Sequence, residues 1–230
     1  MTLGVLGGMG PMATVLFLEH IVNFTNAGND QEHINTIIYN MPSIPSRTDF
    51  ILNNSNESPL PHLIKYVTAL KNLNVSIIAI PCVTAMYFYS QISNLGVEVC
   101  NIADIALNDS EKQNNKIGVL ATTGTVSSNV FQNLYKGDII LPNTHYQNII
   151  MDIIFNSVKG GYPVNKNKFI EVINHLKEKG SNKIILGCTE LSIAKKECNL
   201  KDDMLIDALE QLAKHCILRL SLKNGAGRIL

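Results

Sequence analysis

Short apolar runs alternate with longer amphipathic stretches along almost the whole chain. The apolar runs are rich in isoleucine, valine and leucine, and they predict strands at residues 3–6, 36–39, 77–80, 116–120, 184–186 and 204–206. The amphipathic stretches predict helices at residues 12–25, 60–73, 85–92, 126–135, 149–158, 166–179 and 208–220. Strands that are apolar on both faces are typical of parallel sheets covered by helices. We therefore predict an α/β fold.

The opening of the chain recurs in its second half. Residues 3–11 read aliphatic, Gly, Val, Leu and then a small glycine-containing loop before a helix, and residues 117–125 repeat that outline. In each half a later strand also runs straight into a cysteine, Cys82 in the first half and Cys188 in the second. Two matches in the same order indicate two similar doubly wound α/β halves.

Charge and cysteine content narrow the functional classes. The 230 residues contain 19 Lys and Arg against 19 Asp and Glu, so the chain lacks the basic surface that a nucleic-acid partner requires. No basic run suits an anionic membrane, and the apolar runs are too short to span a bilayer. The five cysteines are an odd number without zinc-site spacing. We expect reduced thiols, no metal and no secretory signal, in a cytoplasmic protein.

The two strand-end cysteines suggest a specific chemistry. In doubly wound sheets the ligand crevice lies at the carboxyl ends of the strands. If the halves face each other about a pseudo-twofold axis, Cys82 and Cys188 approach one crevice from opposite sides. Inversion of a stereocentre needs a base on one face and an acid on the other, and a thiol and a thiolate can exchange these roles. The alternative is structural, because free cysteines are among the most buried residues.

Other polar groups suit an anionic substrate. The loop-like segment 42–61 contains Arg47, whose guanidinium can form two parallel hydrogen bonds with a carboxylate. Lys159 offers a second positive charge, although a lone Arg or Lys is usually a solvated surface residue. The glycine-containing turns at residues 7–10 and 122–125 have backbone N–H groups that can hold a carboxylate.

Four motifs in this order are more specific than any one of them. They are Gly-Gly-Met-Gly-Pro-Met-Ala-Thr at residues 7–14, Pro-Cys-x-Thr-Ala at 81–85, Leu-Ala-Thr-x-Gly-Thr at 120–125 and Gly-Cys-Thr-Glu at 187–190. Together they resemble the aspartate racemase branch of the aspartate/glutamate racemase superfamily. The resemblance extends from the first strand to Asp207.

The resemblance implies a cofactor-independent racemase that interconverts L- and D-aspartate, or glutamate, by proton transfer between two thiols. Cys82 would deprotonate the D enantiomer and Cys188 the L enantiomer, and the reaction needs a thiolate pKa well below the usual value of about 8.5. By motif position, the residues implied to bind substrate are Met9, Arg47, Thr84, Thr122, Thr125, Lys159, Thr189 and Glu190.

The resemblance also implies an architecture and an assembly. The active site lies between two domains, formed by residues 1–101 with 208–230 and by residues 102–207, because the C-terminal helix packs back on the first domain. No pyridoxal phosphate and no metal takes part. The expected assembly is a homodimer.

Two positions beside the first cysteine differ from the usual family pattern. Val83 replaces an asparagine that hydrogen-bonds the substrate, and losing such a bond to a charged group costs roughly 1.5–3 kcal/mol. Met86 replaces a histidine that could support the first thiol. Two alternatives therefore stay open. One is a related enzyme on another carboxylate, such as a hydantoin racemase or a diacid cis–trans isomerase, and the other is a non-catalytic dicarboxylate-binding homologue.

Overall fold

The computed structural model describes residues 1–108 and 116–223, and its first sheet has three parallel strands. β1 (Thr2–Gly7) lies in the centre, between β2 (Asn35–Asn40) and β3 (Ile77–Ala79). A further parallel bridge joins Ile78 to Val99 at the outer side of β3. β1 and β3 are almost entirely buried, whereas the edge strand β2 is half-buried. The apolar runs predicted at 3–6 and 77–80 are thus buried strands, as expected for a parallel sheet covered by helices, whereas the run predicted at 36–39 forms the half-buried edge.

The second sheet repeats this arrangement. Its four parallel strands lie in the order β5-β4-β6-β7, with bounds Ile139–Ile140 for β5, Ile117–Leu120 for β4, Lys183–Leu186 for β6 and Leu205–Asp207 for β7. The first three strands correspond to β2-β1-β3, so the two glycine-bearing strands are both central. This confirms the predicted α/β class with parallel sheets.

Helices connect the strands in both halves. The described residues contain α1 (Pro11–Phe24), α2 (Arg47–Ile51), α3 (Leu60–Asn72), α4 (Tyr89–Ile92), α5 (Ile102–Asn108), α6 (Thr123–Ser127), α7 (Thr144–Asp152), α8 (Lys166–Glu178), α9 (Thr189–Glu197) and α10 (Ala208–Lys223). Asp30–Glu32 and Val83–Phe88 form 3-10 helices, and Ile153–Lys159 is a π-helix. Within residues 1–108 and 116–223, no helix has the length and apolarity needed to cross a membrane.

Asparagines mark several helix ends. Asn143 and Asn165 cap α7 and α8, because their side chains accept hydrogen bonds from backbone N–H groups of the first turn. Four others, Asn53, Asn74, Asn129 and Asn199, have positive φ angles directly after α2, α3, α6 and α9. Asparagine tolerates this left-handed conformation better than other residues with a side chain, so it can end a helix where glycine is absent.

Several predicted boundaries were wrong. The helix predicted at 126–135 ends at Ser127, because Asn129 turns the backbone into the left-handed conformation. The segment predicted as a loop at 42–61 contains α2, which begins at Arg47. The two-residue strand β5 and the short helix α5 were not predicted, since neither is long enough to show a periodic pattern.

The C-terminal helix connects the two halves of the chain. α10 packs against α1 and α5, and it also contacts α9. Its buried residues Leu209, Leu212 and Cys216 belong to one hydrophobic core with β1 and β3. Asp207 starts the helix, since its carboxylate accepts hydrogen bonds from the N–H groups of Leu209 and Glu210. The division at residues 101, 102 and 208 stays a prediction.

Candidate active site

The two strand-end cysteines lie in one pocket between the halves of the chain. Cys82 follows β3 and Cys188 follows β6, and both side chains are buried. The pocket is narrow, with about 30 Å³ of free volume. Of the ten predicted site residues, nine line it, namely Met9, Arg47, Cys82, Thr84, Thr122, Lys159, Cys188, Thr189 and Glu190. Residues that are far apart in sequence therefore meet as the strand order predicts.

Cys188 is a hydrogen-bond donor in this structure. Its Sγ lies 3.0 Å from Oε2 of Glu190, so the thiol donates to the carboxylate. Burial raises the pKa of Cys188 well above its usual value, and the negative charge of Glu190 raises that pKa further. Cys188 occupies the N-cap position of α9 but makes no side-chain capping hydrogen bond, and the helix dipole does not offset the effects of burial and Glu190 on its pKa. The expectation of a lowered thiol pKa was therefore wrong for Cys188.

Glu190 lies between the thiol and a lysine. Only 3% of its surface is exposed, and its Oε1 lies 3.3 Å from Nζ of Lys159. Burial opposes the charge on Lys159, but the acidic groups around it, of which Glu190 contributes most, raise the pKa of Lys159. Oε1 has no hydrogen bond of regular geometry despite this ion pair. Glu190 was expected to bind substrate, and in the structure it contacts three other site residues, Cys188, Lys159 and Thr189, whose hydroxyl lies 3.5 Å from Oε2.

Arg47 is a buried cation at the start of α2. Its Nη1 donates to the carbonyls of Ile44 and Pro45 at 3.1 and 2.7 Å, and its Nη2 donates to the carbonyl of Met9 at 3.3 Å. Its Nε is buried and has no partner. No ion pair of the described residues involves Arg47, which is only 9% exposed. A buried charge without a counter-ion is costly, so this position favours an anionic ligand.

Three threonine hydroxyls form a triangle beside the pocket. Oγ1 of Thr84 lies 3.1 Å from that of Thr122 and 2.8 Å from that of Thr125, and the latter two are 3.1 Å apart. Thr125 is buried in the triangle but does not line the pocket. Thr189 makes a second link, because its hydroxyl donates to the carbonyl of Pro81 at 3.3 Å. These bonds join the loops of the two halves at the site.

The two glycine-containing turns do not offer all their N–H groups to a ligand. The N–H of Gly8 donates to Oγ1 of Thr14 at 2.9 Å, and the N–H of Thr125 donates to Oγ1 of Thr122 at 3.2 Å. Side-chain hydroxyls therefore already occupy two of the predicted carboxylate donors. This outcome could not be predicted from the glycine pattern, because it depends on the rotamers of the threonines.

The replaced residues beside Cys82 have different positions. Val83 lines the pocket and is almost fully buried, so it contributes an apolar surface where a hydrogen-bonding side chain was expected. Met86 is buried in the core of the first half and does not line the pocket.

Sequence reasoning missed three lining residues, Ser46, Thr48 and Phe155. Ser46 and Thr48 flank Arg47, so their adjacency to that candidate was an available signal. For Phe155 the sequence gave no signal. It lies on the π-helix that carries Lys159, and its ring centroid is 5.1 Å from the lysine Nζ.

The remaining cysteines lie away from this pocket. Cys100, Cys198 and Cys216 are buried, form no disulfide and do not line the pocket. Among residues 1–108 and 116–223, no three His, Cys, Asp or Glu side chains cluster as metal ligands would.

Comparison with known proteins identifies the family. A family model described as Asp/Glu/Hydantoin racemase matches residues 6–216. The chain belongs to this family. This confirms the resemblance inferred from the four motifs and makes the chain a member of a family of racemases, which are isomerases.

Similar proteins of the family extend over nearly the whole chain. The aspartate racemase of Picrophilus torridus superposes with a TM-score of 0.82 at 27% identity, over 100% of this chain and 95% of that one. An aspartate racemase homologue from Pyrococcus horikoshii OT3 superposes with a TM-score of 0.74 at 21% identity, over 96% and 99%. The broad specificity amino-acid racemase RacX of Bacillus subtilis (strain 168) is 24% identical over 197 residues, or 83% of this chain and 86% of RacX.

Proposed function

We propose that this protein is a cofactor-independent racemase of aspartate or glutamate that uses Cys82 and Cys188 as its two acid/base groups. The thiolate of one cysteine removes the Cα proton of the bound amino acid. The thiol of the other cysteine donates its proton to the opposite face of the resulting carbanion. The Cα configuration is inverted, and the first cysteine becomes the thiol while the second becomes the thiolate.

One observation carries this proposal: the narrow pocket that contains both thiols also contains a buried arginine that has no carboxylate partner among residues 1–108 and 116–223. Arg47 already gives two of its nitrogens to backbone carbonyls, which fixes the plane of the guanidinium. A substrate carboxylate would neutralise this charge and add hydrogen bonds to it. The likeness to the aspartate racemase of Picrophilus torridus at 27% identity supports the same substrate class.

A wider range of amino acids is the second candidate. The narrow pocket shares six lining residues, including Arg47 and Lys159, with a neighbouring cleft of about 560 Å³. That cleft also has apolar walls from Met12, Ile44 and Val158. A substrate side chain longer than that of aspartate can extend into such a space. The name of the Bacillus relative, a broad specificity racemase, supports this candidate.

Incubation in deuterated water tests both candidates. The purified protein is mixed separately with L-aspartate, L-glutamate, L-leucine, L-methionine, a 5-substituted hydantoin and maleate. Solvent deuterium at Cα is read by proton NMR, and the enantiomers are separated by chiral chromatography. We expect deuterium at Cα of aspartate or glutamate together with formation of the D enantiomer, with or without EDTA. Exchange at leucine or methionine as well would support the wider range.

Other outcomes would contradict the proposal. Turnover of the hydantoin or isomerisation of maleate, with no exchange at any amino acid, would identify a different reaction of the family. Binding of aspartate or glutamate without any exchange, measured by isothermal titration calorimetry, would indicate a non-catalytic binding protein. The homodimer expected from the resemblance is tested separately, by size-exclusion chromatography with light scattering.

A further inference from the structure

We infer that Glu190 is a positioning residue that holds Cys188 in its thiol form in the resting site, which leaves Cys82 as the base for the first proton transfer. The inference rests on the proposed function, because it assigns unequal starting roles to the two proposed acid/base groups. Cys82 would then remove the Cα proton of the bound substrate, and Cys188 would donate its proton to the opposite face.

The geometry of the thiol and the carboxylate carries the inference. Sγ of Cys188 lies 3.0 Å from Oε2 of Glu190, and both side chains are buried. A thiol can donate a hydrogen bond across this distance. A thiolate has no proton to donate and would place a second negative charge beside the carboxylate, where little water screens it. The contact therefore favours the protonated cysteine.

Lys159 stabilises the charged carboxylate that accepts this hydrogen bond. Its Nζ lies 3.3 Å from Oε1 of Glu190, on the other side of the carboxylate. A neighbouring ammonium stabilises a carboxylate relative to a carboxylic acid. The arrangement is therefore a thiol that donates to a carboxylate, and the carboxylate is in turn paired with the ammonium.

The other charged groups around Cys188 come from three directions. Lys159 on the π-helix opposes Glu190 by lowering the pKa of Cys188, and Cys82 faces the same pocket from the loop after β3. Arg47 enters the pocket from α2 and is held by backbone carbonyls. The combined effect of burial and Glu190 still exceeds that of Lys159, and the pKa of Cys188 is raised.

The same contact affects the enzyme after turnover. When Cys188 has given its proton to Cα it is a thiolate next to the Glu190 carboxylate. The repulsion between them favours rapid return of a proton to Cys188. The side chain of Lys159 is 32% exposed, so the ion pair reaches solvent and connects the buried thiol to water.

Alkylation of Cys188 tests the inference without any substrate. The full-length protein is treated with iodoacetamide at a series of pH values, and the modified peptide that contains Cys188 is quantified by mass spectrometry. Only the thiolate reacts appreciably, so the pH midpoint of the rate reports ionisation of Cys188. In Glu190→Gln the carboxamide keeps the size of the side chain but removes its charge. We expect the midpoint to fall by about one pH unit or more.

Three further variants complete the experiment. Glu190→Asp keeps the negative charge, so its midpoint should lie close to that of the parent protein. Lys159→Met removes the opposing cation and should raise the midpoint. Glu197→Gln is the matched control, because Glu197 is an exposed residue at the far end of the same helix. Its midpoint should not change. Circular dichroism verifies that each variant is folded.

An unchanged or raised midpoint in folded Glu190→Gln would overturn the inference. If that variant fails to fold, Lys159→Met decides, and a midpoint that does not rise would overturn the inference instead. Failure of the proposed function has a different signature, because racemisation would then be absent while the alkylation midpoints still move as expected. In an active enzyme, Glu190→Gln should also move the alkaline limb of kcat/KM to lower pH.

Discussion

The hydroxyl oxygens of Thr84 and Thr125 lie 2.8 Å apart, although the two residues belong to different halves of the chain. Thr84 is in the 3-10 helix that follows Cys82, and Thr125 is in α6 after the central strand of the second sheet. Because both hydroxyls are buried, each depends on the other and on Thr122 for its hydrogen bonds. The contact thus fixes the position of the Cys82 loop against the second half.

The Thr84→Val variant should weaken that link. Valine has the same shape but no hydroxyl, so Thr122 and Thr125 each lose a partner in a buried position. We expect the free energy of unfolding to fall by about 1–3 kcal/mol. Urea denaturation measures the change. Thr36→Val is the control, since Thr36 lies on the edge strand β2 and its hydroxyl donates to the carbonyl of Ile34, two residues earlier in the chain. A loss of equal size in both variants would show that the triangle has no special role.

Removal of either proposed acid/base thiol should abolish racemisation. In Cys82→Ser and Cys188→Ser the hydroxyl is far too weak an acid to replace a thiol at neutral pH. We expect kcat to fall by about 10²- to 10⁴-fold or more, as is usual when general acid or base catalysis is lost. Chiral chromatography of aspartate and glutamate measures the rate. Cys198→Ser should keep its activity, because Cys198 is buried at the end of α9 and does not line the pocket. Full activity in both site variants would exclude the two-thiol mechanism.

Replacement of Arg47 by lysine should weaken substrate binding more than it changes stability. A lysine ammonium cannot reproduce the planar fork that now contacts three backbone carbonyls. Loss of at least one charged hydrogen bond to the substrate should raise KM about 10-fold or more. Steady-state kinetics and thermal unfolding separate the two effects.

Arg219→Lys provides the comparison for Arg47→Lys. Arg219 makes a partly exposed ion pair with Glu98 at 2.9 Å, remote from the pocket. Surface ion pairs contribute about 0–1 kcal/mol to stability, so Arg219→Lys should stay folded. Because Arg219 does not line the pocket, the KM of this variant should equal that of the parent protein. If Arg47→Lys also left KM unchanged, Arg47 would not be the carboxylate-binding residue.

Gly124 allows α2 and α6 to approach closely. A Cβ atom on Gly124 would lie 2.8 Å from Cα of Thr48, which is a backbone atom of the residue after Arg47. Gly124→Ala should therefore displace α2, raise KM several-fold and lower the free energy of unfolding by about 1–3 kcal/mol. Gly28→Ala is the control, because its Cβ would meet only a carboxylate oxygen of Glu32 at 3.7 Å. Parent-like kinetics in Gly124→Ala would mean that the position of α2 does not govern binding.

The ability to predict this fold from the sequence depended on element length. Long apolar or amphipathic segments, such as those that became β1, α1 and α8, were located to within a residue or two. Short elements were lost, because β5 has two residues and α2 has five. Such segments are stabilised by the neighbours they pack against, and no local pattern encodes those neighbours.

The candidate site, too, could be predicted only in part from the sequence. The sequence by itself determined that an apolar strand runs straight into a cysteine in each half, because apolar strands and a repeated motif are local features. The rest of the site depended on tertiary contacts, which bury Arg47 with no counter-ion in the described part of the chain and join Thr84 to Thr125. Only the tertiary structure decided that Cys188 donates to Glu190. The reason is physical, since the ionisation of a buried thiol depends on the charges packed around it rather than on its sequence motif.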